Sequence, residues 1–557
     1  SLRGGKPGSR RGSILLTVLV VVLLLTLGIY QFAELMLVER QAAELAARET
    51  EARVFADSGV EYVSALLMQR AELREENLYH DPEVFGGVLM RDAAAARGRG
   101  RFSVVAAVET DATAQQIRFG LQDESGRLNL NAIASFDLEE EEEERNLLMQ
   151  IPAMTHEVAD SILDWLDEDT ETREFGAESD YYQGLASPYA AKNGPLESLD
   201  ELLLVRGVTR ELLYGEDANR NGLLDPSEND GELLPPWDNA DGLLDTGWSA
   251  FLTVHSRESN RQSNGAPRIW LNNSTLTELY DELLEQFDED TARFIVAYRT
   301  SGPVDGDEGD GSGGGSGNGS GGGGRNGGGG GRNSGGGGTQ GLERLAEGLA
   351  RGLMGASGSV TRGGVNLAAG GRYNIDSIYD LVGRQVQTEV DGSQTILDSP
   401  WPNDPATLQQ ALPDLIDKLS PSQDPSIPGR INVNQARLEV LLGIPGMTEE
   451  AARSIVGAKM IGSGGEPLTD AIASRATTGW LVSDGLIDLE TMRTLDKYLT
   501  TRGDVLRAQI VGHFDEGGPS VRLEAVFDAS EPPVKLLMLR DLSHLGAGYQ
   551  LQAAPGG

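Results

Sequence analysis

Cysteine is absent from the 557-residue sequence, and histidine occurs only five times. The first absence removes any disulfide framework, any thiolate metal site and any cysteine nucleophile; the second argues against a multi-histidine zinc site. Basic residues are scarce too, 46 against 86 acidic ones, for a formal charge of −40. Such a surface repels phosphate backbones, so nucleic acid is not an expected partner. It suits a solvated, exported face with an appetite for divalent cations. The motifs of enzyme chemistry are also missing: no Gly-x-Ser-x-Gly, P-loop, His-Glu-x-x-His or dinucleotide fingerprint occurs. Asp164 and Asp167 could be imagined as paired acids, but so acidic a chain supplies such pairs by chance. The expectation is a protein that performs no catalysis.

Against these absences stands one long uncharged run. Arg3, Lys6, Arg10 and Arg11 precede Gly12 with no acidic residue among them, and Ile14 to Phe32 carries no charge. About twenty helical residues suffice to cross ~30 Å of hydrocarbon. The basic flank predicts a cytoplasmic N-terminus and export of the remainder. A cleavable secretory signal would be shorter and would end in its cleavage site; here the site-like glycine comes first. Leu35, Val38, Leu45, Val54, Val60, Val63 and Leu67 continue at helical spacing, so one helix is expected from Ser13 to about Gln69. A basic leader, Gly12, an apolar run and a long amphipathic helix together resemble the type IV pilin class, which is cut between the residues that are here Gly12 and Ser13.

Alternation predicts strands through Phe102, Val104, Ala106 and Val108, and through Ile117, Phe119 and Leu121, with a turn near 111–114. Strands are expected again only at the far end: Ala508–Gly512, Val521–Phe527 and a buried-type run Val534–Leu539. The middle reads as mostly helical and repetitive. Leu128-Asn129-Leu130-Asn131-Ala132 and Ile431-Asn432-Val433-Asn434-Gln435-Ala436 each precede a Leu-Leu pair and an Ile-Pro turn; a weaker copy starts at Trp270-Leu271-Asn272-Asn273. Each predicts two helices joined by a tight turn started by Pro or Gly. The pattern resembles helix-hairpin-helix (SAM-like) modules that hold DNA phosphates on backbone N–H groups. Glu449 and Glu450 beside the second hairpin oppose that use, so a packing role is expected. Residues 306–341 are almost all Gly, Ser or Asn and predict a flexible loop. Glu139–Glu144 predicts a solvated helix face.

The sharpest chemistry lies between Asp217 and Glu228. Oxygen-bearing side chains fall at positions 1 (Asp217), 3 (Asn219), 5 (Asn221), 9 (Asp225) and 12 (Glu228). Gly222 stands at position 6, and Leu223 offers its carbonyl at position 7. This is the grammar of an EF-hand loop, which surrounds Ca²⁺ with about six to eight hard oxygens. A half-loop follows, in which Asn239, Asp241 and Asp245 occupy positions 3, 5 and 9 while Trp237 and Trp248 stand at positions 1 and 12. Asp164, Asp167, Asp169 and Glu178 form another acidic segment, open between solvated surface and ligands.

The order of several pieces is similar to general secretion pathway protein K, the large minor pseudopilin family of bacterial type II secretion. These are the Gly12/Ser13 junction, Gly126–Asn131, Ile162–Asp167, Gly176-Ala177-Glu178 with Tyr181-Tyr182, Ser187-Pro188-Tyr189, Ser198–Leu203 and Ile431–Asn434. The resemblance implies an α+β pilin fold: a long N-terminal transmembrane and amphipathic helix packed on an antiparallel sheet, carrying a large, mostly helical insertion. It divides the chain into a leader (1–12), the pilin helix (13–100, membrane-spanning at 13–32), the first part of the sheet (101–135), the insertion (136–500) and the last strands (501–557). It also implies cleavage and methylation by prepilin peptidase, and a single-pass place in the bacterial inner membrane with the bulk in the periplasm. Implied partners are minor pseudopilins I and J, the major pseudopilin and the inner-membrane secretion platform. Most pilin-like subunits carry Glu at the fifth mature position; counted from Ser13, that position is Thr17. A subunit at a filament tip, with no neighbour above it, can dispense with the carboxylate. The rival reading is a DNA-binding competence or pilus-tip protein using the helix-pair repeats.

Overall fold

The computed structural model describes residues 11–69, 78–108, 116–136, 138, 141–231, 233, 238–304, 360–368, 370–458, 474–549 and 551. The leader up to Arg10, the expected turn at 111–114 and the Gly-rich stretch 306–341 lie outside the described residues. Two compact units are present, one of residues 1–268, 412–418 and 424–557, the other of residues 269–411 and 419–423.

The first unit is built on a single helix, α1, Arg11–Leu67. Its apolar residues from Leu15 to Val38 are all exposed, and burial begins only at Ala52. Among the described residues it is the one helix apolar and long enough to cross a membrane. Its C-terminal half lies on an antiparallel sheet formed by β1 (Val88–Arg91), β2 (Gly100–Ala107), β3 (Ile117–Phe119), β4 (Gln122–Asp123), β5 (Val505–Phe514), β6 (Val521–Asp528) and β7 (Lys535–Asp541). The order is β1-β2-β5-β6-β7, with β3 paired to β2 and β4 to β5. Phe102 pairs with Gly512 and Val104 with Ile510, so the two ends of the chain meet at the centre of the sheet. Ala52, Phe55, Ala56, Val60, Val63 and Leu67 of the helix pack on Phe102, Val104, Ile510, Leu523 and Phe527. The approach is close because Gly512 has no side chain: a Cβ there would stand 2.0 Å from the main-chain oxygen of Ala52. This is an α+β arrangement of an apolar helix on an antiparallel sheet, consistent with a pilin-like fold.

Two expectations need correction here. The run Val534–Leu539 is not buried: β7 is an edge strand with Leu536, Leu537 and Leu539 between 40% and 47% exposed. Nor do strands return only at the end. The second unit holds a four-stranded sheet of Thr361–Arg362, Val365–Asn366, Gln385–Val390 and Ser393–Asp398. Its hairpin turns at Asp391 (φ 51°) and Gly392 (φ 80°). An Asp-Gly pair between alternating segments is a strong hairpin signal.

The three Asn-containing segments each enter a two-residue parallel ladder. Leu128–Asn129 pairs with Leu252–Thr253, and Ile431–Asn432 with Leu499–Thr500. In the second unit Ile269–Trp270 pairs with Leu419–Ser420. The asparagine after each ladder bridges two distant carbonyls. Asn131 Nδ2 donates to Leu196 and Val254 (2.8 and 3.0 Å), Asn272 Nδ2 to Ile375 and Pro421 (2.9 and 3.1 Å), and Asn434 Nδ2 to Arg475 and Thr501 (3.1 and 3.3 Å). Helix pairs follow at Glu141–Met149 and His156–Leu166, Leu276–Gln286 and Glu289–Ser301, and Leu438–Gly443 and Glu449–Gly457. Thr155, Asp288 and Thr448 cap the second helix of each pair. The first turn passes through Ala153 and the third through Gly446, both at positive φ. The middle pair departs from expectation: its helices are joined through Phe287 and Asp288, with neither Pro nor Gly.

Candidate metal centre

The Asp217–Glu228 loop belongs to the first unit, on the face of the sheet opposite α1. Leu223 packs with Val105, Val511 and Tyr549 in a small apolar cluster there. Gly222 is needed twice over: its φ is +68°, and a Cβ would come within 2.8 Å of the Ala107 Cβ. The loop side chains turn inward. Asp217 accepts from the N–H groups of Asn221 and Gly222, both at 3.0 Å. Asn219 Oδ1 accepts from Asn221 N at 3.0 Å and Asn221 Oδ1 from Leu223 N at 2.6 Å. Both amide nitrogens then converge on Asp225 Oδ2, at 2.6 and 3.0 Å. Glu228 closes the loop, accepting from Ala218 N at 3.0 Å and Asp225 N at 3.1 Å.

Asp217 and Glu228 are only 7% and 2% exposed. Burial pushes Asp217 up to about 6 and Glu228 up to about 7, the second with added repulsion from Asp217 and Asp225. Burial thus holds both carboxylates toward their neutral forms, and every loop oxygen named here is engaged by an N–H group of the loop itself.

The half-loop is organised differently. Asn239, Asp241 and Asp245 are exposed. Asn239 Nδ2 donates to Asp241 Oδ2 at 3.0 Å, and Asp241 and Asp245 accept from Leu243 N and Gly247 N, both at 2.8 Å. Trp237 lies outside the described residues, and Trp248 is a buried packing residue whose Nε1 donates to Pro152 at 2.8 Å. Glu216, which no motif singles out, ties the segment down by accepting from Asn239 N (3.4 Å) and Asp245 N (3.2 Å).

A second acidic group is tighter. Asp167, Asp169 and Glu178 each bring a carboxylate oxygen within 4.8 Å of the others, and the cluster can hold a metal ion. It forms where the helix His156–Leu166 ends and the chain returns at Ser179. Burial, then the neighbouring Asp169, pushes Asp167 up to about 7; burial takes Asp164 up to about 6. Arg173 stands alongside, 2.7 Å from Glu144 Oε2, 3.5 Å from Asp164 Oδ1 and 3.7 Å from Asp167 Oδ2. Glu144 therefore has a partner, while Glu141, Glu142 and Glu143 are exposed. Gly12 and Ser13 lie in the first turns of α1.

The frame of apolar helix and antiparallel sheet, interrupted by a large insert of paired helices and acidic loops, is consistent with a pilin-like fold. Residues 126–214 match the family described as "Type II secretion system (T2SS), protein K". The chain is similar to the type II secretion system protein K of Aeromonas hydrophila, 43% identical over 72 residues, which are 12% of this chain and 22% of that relative. The match thus spans about a fifth of the relative's length. A chain in the crystal structure of the GspK-GspI-GspJ complex from the enterotoxigenic Escherichia coli type 2 secretion system also aligns. It does so with 10% identity and a TM-score of 0.33, over 90% of this chain and 99% of that one.

Proposed function

We propose that this chain is a non-enzymatic minor pseudopilin that initiates or caps the periplasmic pseudopilus of a type II secretion system. The observation that carries this reading is the family match at residues 126–214, which falls in the insert of a chain whose two ends form a pilin-like helix and sheet. A helix exposed and apolar from Leu15 to Val38 needs lipid or neighbouring helices. Cleavage after Gly12 would free Ser13 as the mature terminus, and Thr17 in place of a carboxylate suits a subunit with none above it. The insert adds bulk that subunits stacked along a shaft would have no room for. Its partners are minor pseudopilins I and J, then the major pseudopilin below them.

In the same reading Ca²⁺ occupies the Asp217–Glu228 loop and braces the insert. Asp217, Asn219, Asn221, Asp225, Glu228 and the Leu223 carbonyl would hold it, exchanging the two amide contacts on Asp225 for metal contacts. Asp167, Asp169 and Glu178 offer a second place for the ion; Asn239, Asp241 and Asp245 a weaker one. Co-purification tests the assembly: the periplasmic portion, from about Glu34, should bring down pseudopilins I and J together. Failure to retain either would overturn the reading.

A further inference from the structure

The main-chain oxygens of loop positions 3, 4 and 5 are taken by the pilin-like sheet and the chain's C-terminal segment. Arg522 Nη2 of β6 donates to the Asn219 carbonyl. Gln509 Nε2 of β5 donates to the Arg220 carbonyl at 2.7 Å. The Tyr549 hydroxyl reaches the Asn221 carbonyl at 2.9 Å and Gln509 Oε1 at 3.0 Å. The segment is held from the other side too, since Asn221 Nδ2 donates to the Gly548 carbonyl at 2.6 Å. Asn221, 2% exposed, therefore faces both ways: its side chain belongs to the loop's donor set, and its amide nitrogen and carbonyl hold the C-terminal segment.

We propose that Gly548 and Tyr549 form a latch whose docking on the sheet is coupled to cation occupancy of the Asp217–Glu228 loop. The inference rests on the calcium reading of that loop. With a cation bound, the Asn221 side-chain oxygen turns to the metal and its amide nitrogen is left to Gly548, which fixes the segment. Without one, the Asn221 side chain is held only by Leu223 N, Asp225 and Gly548, the loop loosens, and the carbonyl that Tyr549 needs moves away. Tyr549 is a positioning residue: it touches no ligand oxygen of the ion and acts through the backbone of position 5. Because coupling is reciprocal, loosening the latch must weaken the cation.

The test uses the full chain in detergent, stripped with chelator and titrated with CaCl₂ by calorimetry, with amide exchange of the peptide around Tyr549 followed by mass spectrometry in calcium and in chelator. Calcium should slow exchange around Tyr549 by about tenfold or more, and Asp217→Asn should abolish that protection. Tyr549→Phe, which removes one hydrogen bond at a buried site, should raise the calcium dissociation constant about 3- to 10-fold. Calcium that binds while exchange at Tyr549 stays the same, with Tyr549→Phe titrating like the parent, overturns the latch and leaves the loop reading intact. No calcium binding at all overturns both.

Discussion

Arg145 and Asp160 face each other as a two-pronged buried ion pair, Nε to Oδ1 at 2.6 Å and Nη2 to Oδ2 at 2.9 Å. The pair fastens the two helices of the first repeat, and Asp160 Oδ2 also accepts from Phe175 N at 3.1 Å, which draws in the segment leading to Glu178. Asp160 is fully buried. Removing one partner strands the other, so Asp160→Ala should cost about 3–5 kcal/mol in urea unfolding of the periplasmic portion, while Arg145→Met with Asp160→Leu together should cost much less. Equal losses for the single and the double variant would contradict this.

The seam between α1 and the sheet is the second place where a small change should be large. Gly512→Val puts a side chain into the Ala52 carbonyl, and overpacking of this kind costs about 1–3 kcal/mol. Gly457→Ala is the control, since nothing lies within 4 Å of the added methyl. Helix propensity alone should make that change neutral or slightly stabilising. Chemical denaturation of both variants measures the difference.

The buried carboxylates set a pH dependence whose sign is fixed. Asp217 and Glu228 are raised to about 6 and about 7 in the folded chain, as are Asp164 and Asp123 to about 6 and Asp167 to about 7. The folded state then holds protons the unfolded chain has released. Their contribution is complete below the ordinary carboxylate range and is lost as pH rises through 6 and 7. Glu124 and Glu258, held down to about 2 although burial opposes it, by Arg507 and Arg127 and by Arg268 and Arg430, contribute stability that is complete above the ordinary carboxylate range and is lost only as pH falls toward 2. In chelator the urea midpoint should therefore rise between about pH 8 and about pH 5, and Asp217→Asn with Glu228→Gln should flatten the slope. Calcium should reverse it, because the metal requires the ionised carboxylates. A midpoint in chelator that falls steadily over the same range would contradict the assignment.

Processing gives a qualitative check. Gly12→Leu should leave the leader attached to Ser13 in a host with prepilin peptidase, visible as a heavier band and an unprocessed N-terminus by mass spectrometry. Normal cleavage of this variant would count against a pilin-type junction.

Much of this architecture could be read from the chain, for reasons that differ by element. The long helix was legible from its uncharged apolar run, and the strands around Val104, Ile510 and Leu523 from the alternation of their large apolar residues, although β6 is buried on both faces. β1 escaped because Val88–Arg91 is short and half exposed at an edge. β7 misled in the opposite sense: its leucines look like core but lie exposed at the sheet edge. The Asn-x-Asn repeats were visible, whereas their ladder partners at Leu252–Thr253 and Leu499–Thr500 are too far along the chain for local pattern to find. The spacing of oxygen-bearing residues from Asp217 to Glu228 was visible in the chain, and the fold turns those side chains inward. Gln509, Arg522 and Tyr549 carry no such signal, since only folding brings them beneath it. Convergence of Asp167, Asp169 and Glu178 likewise depends on the return of the chain after the helix ending at Leu166.

The central claim is a position: the end of a fibre. Gold-labelling of this chain on pseudopili sheared from secreting cells tests it directly. The account predicts label at a single end of each fibre and none along the shaft; label spaced regularly along the length would contradict it.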